Sequence, residues 1–229
     1  MALNTADELL TSLLPEWHLL LQGWSADGRL TAAAQEALLL EGTPETLQDL
    51  VNQWGAGVFT GIPPIVLLSS AEMNGAMGAY AISTGMIYLN ADWLAGASKD
   101  QVNAALTEEL GHHLDGLLNA SDTAGDEGEY FARLLNGVSM SEADKATLLI
   151  QNDESLVTSG SVEVTVENAA PFLPGTKLFG NSLYRPLVLS NEDWYAAENK
   201  AFAMGGAHCL GQHIGRAVFC CHRVWRILF

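Results

Sequence analysis

The chain has 229 residues, of which 48% are apolar, and its formal net charge is −17. This length and composition suit one domain of ordinary size with an appendage, and they exclude global disorder. No apolar run approaches the roughly 18 residues that span a bilayer, so no membrane insertion is expected. The acidic start, MALNTADELLTSLLPEW, lacks a basic n-region, and no Sec signal peptide is predicted.

The charge is unevenly distributed. Residues 1–170 hold 24 acidic and 4 basic side chains, whereas residues 171–229 hold 3 acidic and 6 basic ones. An acidic body repels nucleic acid and anionic membranes, so neither is expected as a partner. Two interpretations stay open: solubility in a salty or extracellular setting, and cation binding. Charge alone favours the first, because it selects no site.

The N-terminal quarter of the chain is predicted to be helical. Residues 4–23 have helical spacing, with a break or kink expected at Pro15. A second helix is expected over 31–40. A third begins at Thr43-Pro44, where a capping threonine precedes proline at the first helical position, and ends near Trp54.

Strand patterns follow. Ile65–Leu68 is a short apolar run, and Gly78–Ser83 and Met86–Asn90 flank Thr84-Gly85, which predicts a hairpin turn. Near the end of the acidic body, residues 155–167 alternate around Ser159-Gly160, which predicts a second hairpin.

Three helices lie between the hairpins, after one helical turn at Asp92–Ala95. Ser98 is the expected cap of a long helix through residue 119, and apolar residues spaced four and three apart give that helix one buried face. A further helix is expected over Glu127–Leu135. Another begins at Ser141, which forms a capping box with Asp144 and leads to about Ile150.

These elements predict an α+β fold, in which a small, mostly antiparallel sheet packs on the 98–118 helix beside a helical N-terminal region. The predicted domain is 1–170, divided into helical 1–56, a sheet with two helices over 62–137, and a helix with a hairpin over 141–167. Residues 171–229 form a basic tail that holds all three cysteines. Two interpretations of this tail stay open: a small appended segment, and a chain end unrelated to the domain. Its zinc-type residues match no zinc-finger spacing; they are His208, Cys209, His213, Cys220, Cys221 and His222.

The segment TEELGHHLD, at 107–115, holds the most informative residues. Side chains four apart share a helix face, so Glu108 and His112 can bind one cation, with Glu109 beside them. In the motif H-E-x-x-H the same positions hold a ligand, a general base and a second ligand, and here the first ligand is glutamate. Gly111 costs a helix about 1 kcal/mol relative to alanine, which indicates close approach by another segment or a substrate. Glu127 is the best candidate for a third ligand, because the intervening loop can turn the chain back.

More ordinary roles stay open for these residues. Glu108 and Glu109 could form a solvated helix face, and His112 could be a buried, hydrogen-bonded histidine. His113 points about 100° away from His112 and is expected to play a supporting or structural role. Asp115 could orient the His112 imidazole or lie on the surface. In the loop after this helix, Asp122 and Asp126 could bind Ca²⁺ together with backbone carbonyls, but turn and cap roles are favoured for both.

The helix that contains Glu-Leu-Gly-His is followed along the chain by Glu-x-x-x-Phe-Ala. This order resembles the gluzincin metallopeptidases, whose third metal ligand is a glutamate on the next helix. The resemblance places Glu127, Phe131 and Ala132 at that family's ligand, apolar anchor and small residue. More closely, GAYAISTGMIYLN and the segments after it resemble an N-terminal module of large secreted bacterial proteins, chiefly cyanobacterial. Those proteins often carry calcium-binding or adhesin-like repeats. The resemblance covers about residues 20–167 and is strongest over 76–137.

The resemblance implies a metallopeptidase-like domain with Glu108, His112 and Glu127 as metal ligands. Glu109 would activate a metal-bound water, and the Met86–Asn90 strand would pair with an extended peptide substrate. Zn²⁺ is the expected cofactor, with Mn²⁺ or Ca²⁺ as alternatives because two carboxylates make the site harder. The alternative function is a non-catalytic metal-binding module for adhesion or assembly. The acidic, cysteine-free body and this resemblance predict an extracellular or cell-surface location.

Overall fold

The computed structural model describes residues 2–151 and 153–169, together with three strands further along the chain. The chain divides into two units, Met1–Pro171 and Phe172–Phe229. The helices of the first unit are α1 (Ala2–Ala26), α2 (Arg29–Ala37), α3 (Glu45–Gly55), α4 (Ala91–Leu94), α5 (Lys99–Leu118), α6 (Glu127–Leu135) and α7 (Glu142–Leu148). Its strands are β1 (Ile65–Leu68), β2 (Gly78–Ala81), β3 (Met86–Asn90), β4 (Glu154–Ser159) and β5 (Val162–Ala169).

The second unit contains a three-stranded antiparallel sheet in its described part. Its strands are β6 (Lys177–Phe179), β7 (Ser182–Val188) and β8 (Ala217–His222), in the order β6-β7-β8. The side chains of the cysteines and histidines of this tail lie outside the described residues.

The N-terminal helices form the larger apolar core. Trp17, Leu21 and Trp54 are fully buried there, and Trp17 Nε1 donates a hydrogen bond to Thr107 Oγ1 of α5 at 3.1 Å. Helix α1 continues through Pro15, so the predicted break is wrong. Proline leaves the carbonyl four residues earlier without its helical partner. That residue is Thr11, whose exposure lets water take the place of the missing donor.

Two of the predicted helix caps are confirmed, but the cap predicted at Thr43 is wrong, because Pro44 itself is the N-cap of α3 and no side-chain hydrogen bond caps that end. Ser98 and Gln101 form a capping box at the start of α5, and Ser141 forms one with Asp144 at the start of α7. Asp126 caps α6 by accepting a hydrogen bond from the Glu129 amide. Among the described residues, no helix combines the length and the apolarity that a bilayer span requires.

The five-stranded sheet has the order β1-β3-β2-β5-β4. β1 pairs with β3 in parallel, and the other three pairings are antiparallel. The predicted α+β class, with a small and mostly antiparallel sheet, is confirmed. Because β3 has a neighbour on each side, its backbone hydrogen-bonding groups are already used within the sheet. The expectation that Met86–Asn90 pairs with a peptide substrate is therefore wrong.

The β4–β5 hairpin brings a distant part of the chain to helix α5. Its turn contains Gly160, with φ of 66°, and its apolar side chains Val157, Val164 and Val166 are buried in a second core against β2 and β3. This packing pairs β5 with β2, so that Glu167 lies opposite Tyr80. Since α5 packs on both β2 and β5, the hairpin's polar residues lie beside the helix.

Helices α5 and α6 cross at a pair of glycines. A Cβ atom on Gly111 would lie 2.8 Å from Gly128 Cα, and one on Gly128 would lie 2.6 Å from Cδ2 and Cε1 of the His112 ring. Such distances are far below ordinary contact. The close approach expected at Gly111 is confirmed: α6 occupies the space that a side chain there would fill.

We expect Gly111→Ala to destabilise the protein by about 1–3 kcal/mol, because overpacking against the α6 backbone outweighs alanine's better helix propensity. The matched control is Gly23→Ala in α1, where a Cβ would meet nothing within 4 Å. That variant should be neutral, or more stable by up to about 1 kcal/mol. Urea denaturation with unchanged m-values measures both. Equal effects at the two positions would contradict the crossing geometry.

Candidate metal centre

His112 lies at the centre of a buried acidic cluster. Its side chain is fully buried on α5. Nδ1 is 2.8 Å from Glu127 Oε1 and 3.2 Å from Glu167 Oε2, and Nε2 is 3.5 Å from Asp153 Oδ2. Three separate elements thus direct a carboxylate at one imidazole. We define the His112 cluster as His112, Glu108, Asp126, Glu127, Asp153 and Glu167.

Glu108 and Asp126 complete the cluster on the side enclosed by α5 and α6. Glu108 lies one helical turn before His112 and is 2% exposed, and Asp126 is 1% exposed. One potential ligand atom from each of Glu108, His112 and Asp126 lies within 4.8 Å of the others. The same holds for His112, Glu127 and Glu167. Both sets could hold a metal ion, and they share only the imidazole.

The predicted ligands Glu108, His112 and Glu127 are therefore brought together, although not as one set. Glu108 falls in the group with Asp126, and Glu127 falls in the group with Glu167. The reason is that Glu108 and Glu127 meet different sides of the cluster. Helix α6 presents Glu127 to Nδ1, whereas its capping residue Asp126 reaches the side of Glu108.

Several polar atoms of the cluster have no hydrogen-bond partner among the described residues. A buried, unsatisfied polar group costs about 1–3 kcal/mol, and more when it is charged. Proteins rarely leave such groups together without an ion or a functional role. The atoms concerned are Glu108 Oε1, His112 Nε2, Asp153 Oδ2 and Glu167 Oε2.

The carboxyl pKa values show how strongly burial opposes this concentration of negative charge. Burial, followed by the charges of Asp126 and Glu129, raises the pKa of Glu108 well above its usual value. Burial also raises the pKa of Asp153 to about 6 and that of Glu167 to about 8. These carboxyls resist ionisation unless positive charge is nearby.

The carboxylates around the His112 imidazole favour its protonated, positively charged form. Burial alone would lower the pKa of His112, but the hydrogen bond and charge of Glu127, with the charge of Asp153, raise it well above its usual value. No lysine or arginine forms an ion pair with this cluster in residues 5–151 and 153–168. Each basic side chain there pairs elsewhere: Arg29 with Asp27, Lys99 with Glu16, Arg133 with Glu129 and Lys145 with Glu36.

Glu109, the predicted general base, is fully buried and lies against strand β2. A Cβ atom on Gly78 would lie 3.2 Å from Glu109 Cγ and would collide with its carboxylate, so this glycine makes room for Glu109. The charge of Glu109 also raises the pKa of His112. Glu109 is thus close enough to influence the cluster, while its carboxylate faces the sheet.

His113 supports the packing of α5 and does not join the cluster. Its Nε2 is 3.0 Å from the Gly61 carbonyl, which can only accept, so Nε2 carries the proton. Nδ1 then accepts from the Tyr80 hydroxyl at 3.0 Å. Burial lowers the pKa of His113, which favours this neutral ring. His113 therefore has a structural role: it connects α5 to Tyr80 of β2 and to the loop at Gly61.

Asp115 has partners other than the imidazole. Its Oδ2 accepts from the Thr123 amide at 2.9 Å, and its Oδ1 accepts from Thr123 Oγ1 at 2.6 Å and Asn119 Nδ2 at 2.7 Å. The expectation that Asp115 orients His112 is therefore corrected: the carboxylate fixes the loop after α5. An Asp115, Asp122 and Glu127 group could also hold an ion, although Asp122 is exposed.

A cavity of about 820 Å³ opens beside the cluster. Asp153 and Glu167 belong to both, so they connect the buried imidazole with the cavity. Burial, followed by the charge of Glu127, raises the pKa of Asp122 at its edge. Further lining residues are Tyr80, Ile82, Thr84, Glu163 and Thr165.

Sequence patterns identified only part of this cluster. The sequence predicts Asp126 as a turn or cap residue, and Asp126 does cap α6. No sequence motif predicts that its carboxylate also lies near Glu108. Asp153 and Glu167 lie far along the chain and have no motif spacing to His112. The one available signal was the alternation of β5, which puts Glu163, Thr165 and Glu167 on a single face.

No family model, curated protein or solved structure matches this chain. The assignment of the site therefore depends on its own distances, burial and charges.

We expect the metal-free protein to lose stability as pH rises from about 5 to about 8. In the folded state the pKa values of Asp153 and Glu167 are about 6 and about 8, whereas unfolded carboxyls titrate near 4. The folded state thus binds more protons in this window, so the free energy of unfolding falls as pH rises. The raised pKa of His112 acts in the same direction.

Urea denaturation in EDTA at several pH values measures this dependence. The double variant Asp153→Asn, Glu167→Gln should flatten it. The lowered carboxyl pKa values of Glu36 and Glu72 contribute only below this window. Stability that stays constant or rises between about pH 5 and about pH 8 would contradict the electrostatic account.

Proposed function

We propose that the domain is zincin-like, that it binds a divalent cation at the His112 cluster, and that the cation serves peptide hydrolysis. One observation carries this proposal: a fully buried imidazole meets carboxylates from α5, α6, β5 and the residue just before β4, while every lysine and arginine of residues 1–170 pairs elsewhere. A cation would neutralise this charge and satisfy the buried oxygen atoms that lack hydrogen bonds.

The donor set fits such a cation. One imidazole nitrogen with several carboxylate oxygens is compatible with Zn²⁺, which accepts histidine and carboxylate ligands. The excess of oxygen donors also suits Mn²⁺ and Ca²⁺. We propose Zn²⁺ or Mn²⁺ as the resident ion, with Ca²⁺ as the third candidate.

When bound, the cation would polarise a peptide carbonyl and lower the pKa of water. Glu109 would then accept the proton. It precedes His112 by three residues on α5, the position of the general base in the motif H-E-x-x-H, and it is fully buried. Access would be through the cavity of about 820 Å³, whose volume lies within the range of small-ligand and peptide side-chain pockets.

A second candidate function is a non-catalytic cation-binding module in an extracellular or surface protein. The burial of Glu108, His112 and Asp126 favours it, because an ion enclosed there would act mainly as a link between α5 and α6. The acidic body and the resemblance to modules of large secreted bacterial proteins support an extracellular location for either function.

We expect Zn²⁺ or Mn²⁺ to raise the melting temperature and EDTA to lower it. An ion at one hundred times its dissociation constant adds about 2.7 kcal/mol, or roughly 5–10 °C for a domain of this size. His112→Ala should remove most of the difference between metal and EDTA, measured by differential scanning fluorimetry. His18→Ala should retain it, because His18 stacks on Phe59 away from the cluster.

Elemental analysis of the purified protein accompanies these melts. No bound metal, together with no shift on adding Zn²⁺, Mn²⁺ or Ca²⁺, would remove the cation from both candidate functions.

We expect Glu109→Gln to reduce kcat/KM for an unfolded protein substrate by about 100-fold or more, the usual contribution of a general base. The metal-dependent shift in melting temperature should persist, since the substitution is nearly isosteric. The matched control is Glu163→Gln, which changes a carboxylate lining the same cavity without touching the cluster. Equal proteolysis by the wild type and Glu109→Gln would reject the peptidase and leave the non-catalytic module.

A further inference from the structure

The two nitrogens of His112 have different surroundings. Nδ1 forms a hydrogen bond of 2.8 Å with Glu127 Oε1. An ionised carboxylate can only accept, so Nδ1 carries the proton in this bond. In the neutral ring the lone pair then belongs to Nε2, which is fully buried and has no hydrogen-bond partner among the described residues. The nitrogen able to bind a cation therefore faces away from Glu127.

Buried carboxylates near the His112 ring are suitable metal donors. Asp153 Oδ2 is 3.5 Å away and has no hydrogen bond of its own. Glu108 Oε1 is likewise buried without a partner. Ligand atoms of Glu108, His112 and Asp126 lie within 4.8 Å of one another.

We propose that the cation is held by His112 Nε2, Glu108 and Asp126, with Asp153 on the cavity side, and that Glu127 positions the imidazole without binding the ion. This inference rests on the proposed cation-binding function, and it replaces Glu127 with Asp126 in the ligand set. A metal-bound histidine ordinarily donates its other N–H to a carboxylate, which fixes the ring and its tautomer. The Nδ1 to Glu127 hydrogen bond has that arrangement.

Asp126 can serve as ligand and helix cap together. Its Oδ1 accepts from the Glu129 amide at 2.8 Å, and its Oδ2 accepts from Gln151 Nε2 at 2.9 Å. Each carboxylate oxygen has a second lone pair, so both hydrogen bonds can persist beside a cation. Because asparagine caps helices about as well as aspartate, Asp126→Asn removes a negative charge while keeping the cap.

The test compares Asp126→Asn with Glu127→Gln in the full chain. Isothermal titration with Zn²⁺ and Mn²⁺ measures affinity, and melts in EDTA check the fold. Asp126→Asn should weaken binding by more than about 100-fold, as expected for the loss of a ligand. Glu127→Gln keeps an acceptor for Nδ1–H, so its loss should be about tenfold, at the low end for a supporting hydrogen bond. Asp100→Asn, which changes an exposed carboxylate in the first turn of α5 outside the proposed set, should bind as the wild type does.

If Asp126→Asn fails to fold, Glu108→Gln provides the same comparison, since Glu108 Oε1 has no hydrogen bond to lose. Long-range ¹H–¹⁵N NMR of the zinc-loaded protein gives a readout independent of affinity: His112 should show a protonated Nδ1 and a metal-bound Nε2. A protonated Nε2, or a larger loss for Glu127→Gln than for Asp126→Asn, would overturn this ligand assignment and leave cation binding intact. A wild type that binds none of Zn²⁺, Mn²⁺ and Ca²⁺ would instead reject the proposed function.

Discussion

The structure of this domain depends on how the buried negative charge around His112 is compensated. Carboxylates from α5, α6, β5 and the residue just before β4 converge on one imidazole, and the basic residues of the acidic body form other ion pairs. Bringing such groups together costs electrostatic free energy unless protons or a cation balance them. Positive charge beside these carboxylates would therefore stabilise the contact of α5 and α6 with the β4–β5 hairpin, which is distant in sequence.

Three glycines make this convergence sterically feasible. Gly111 and Gly128 let α5 and α6 cross closely enough for the α6 backbone to cover the His112 ring, and Gly78 leaves room on β2 for Glu109. Gly128 leaves space for the His112 ring and Gly78 for the Glu109 carboxylate, whereas Gly111 leaves space for the backbone of α6. Gly111 lowers the helix propensity of α5, and the close packing of α5 on α6 depends on this glycine.

The cluster has an enclosed side and an open side. Glu108 and Asp126 are almost completely buried between α5 and α6, whereas Asp153 and Glu167 also line the cavity. An ion near the enclosed side would stabilise the helix pair, and an ion that also contacts Asp153 would be accessible to a ligand in the cavity. A hydrolytic role would require the contact with Asp153, because a catalytic metal needs a coordination position that water or substrate can reach. An ion without that contact would have a structural role.

The sequence by itself determined the local features: the capping boxes at Ser98 and Ser141, the hairpin turn at Gly160, and the shared helix face of Glu108 and His112. Such features depend on residues within one helical turn or one tight turn, which fixed backbone geometry brings together. Only the tertiary structure decided that Asp153 and Glu167 join His112, that β3 is an interior strand, and that Asp115 binds Thr123. These outcomes follow from long-range packing, in which Val157, Val164 and Val166 bury the hairpin against β2 and β3 and so set the positions of its carboxylates.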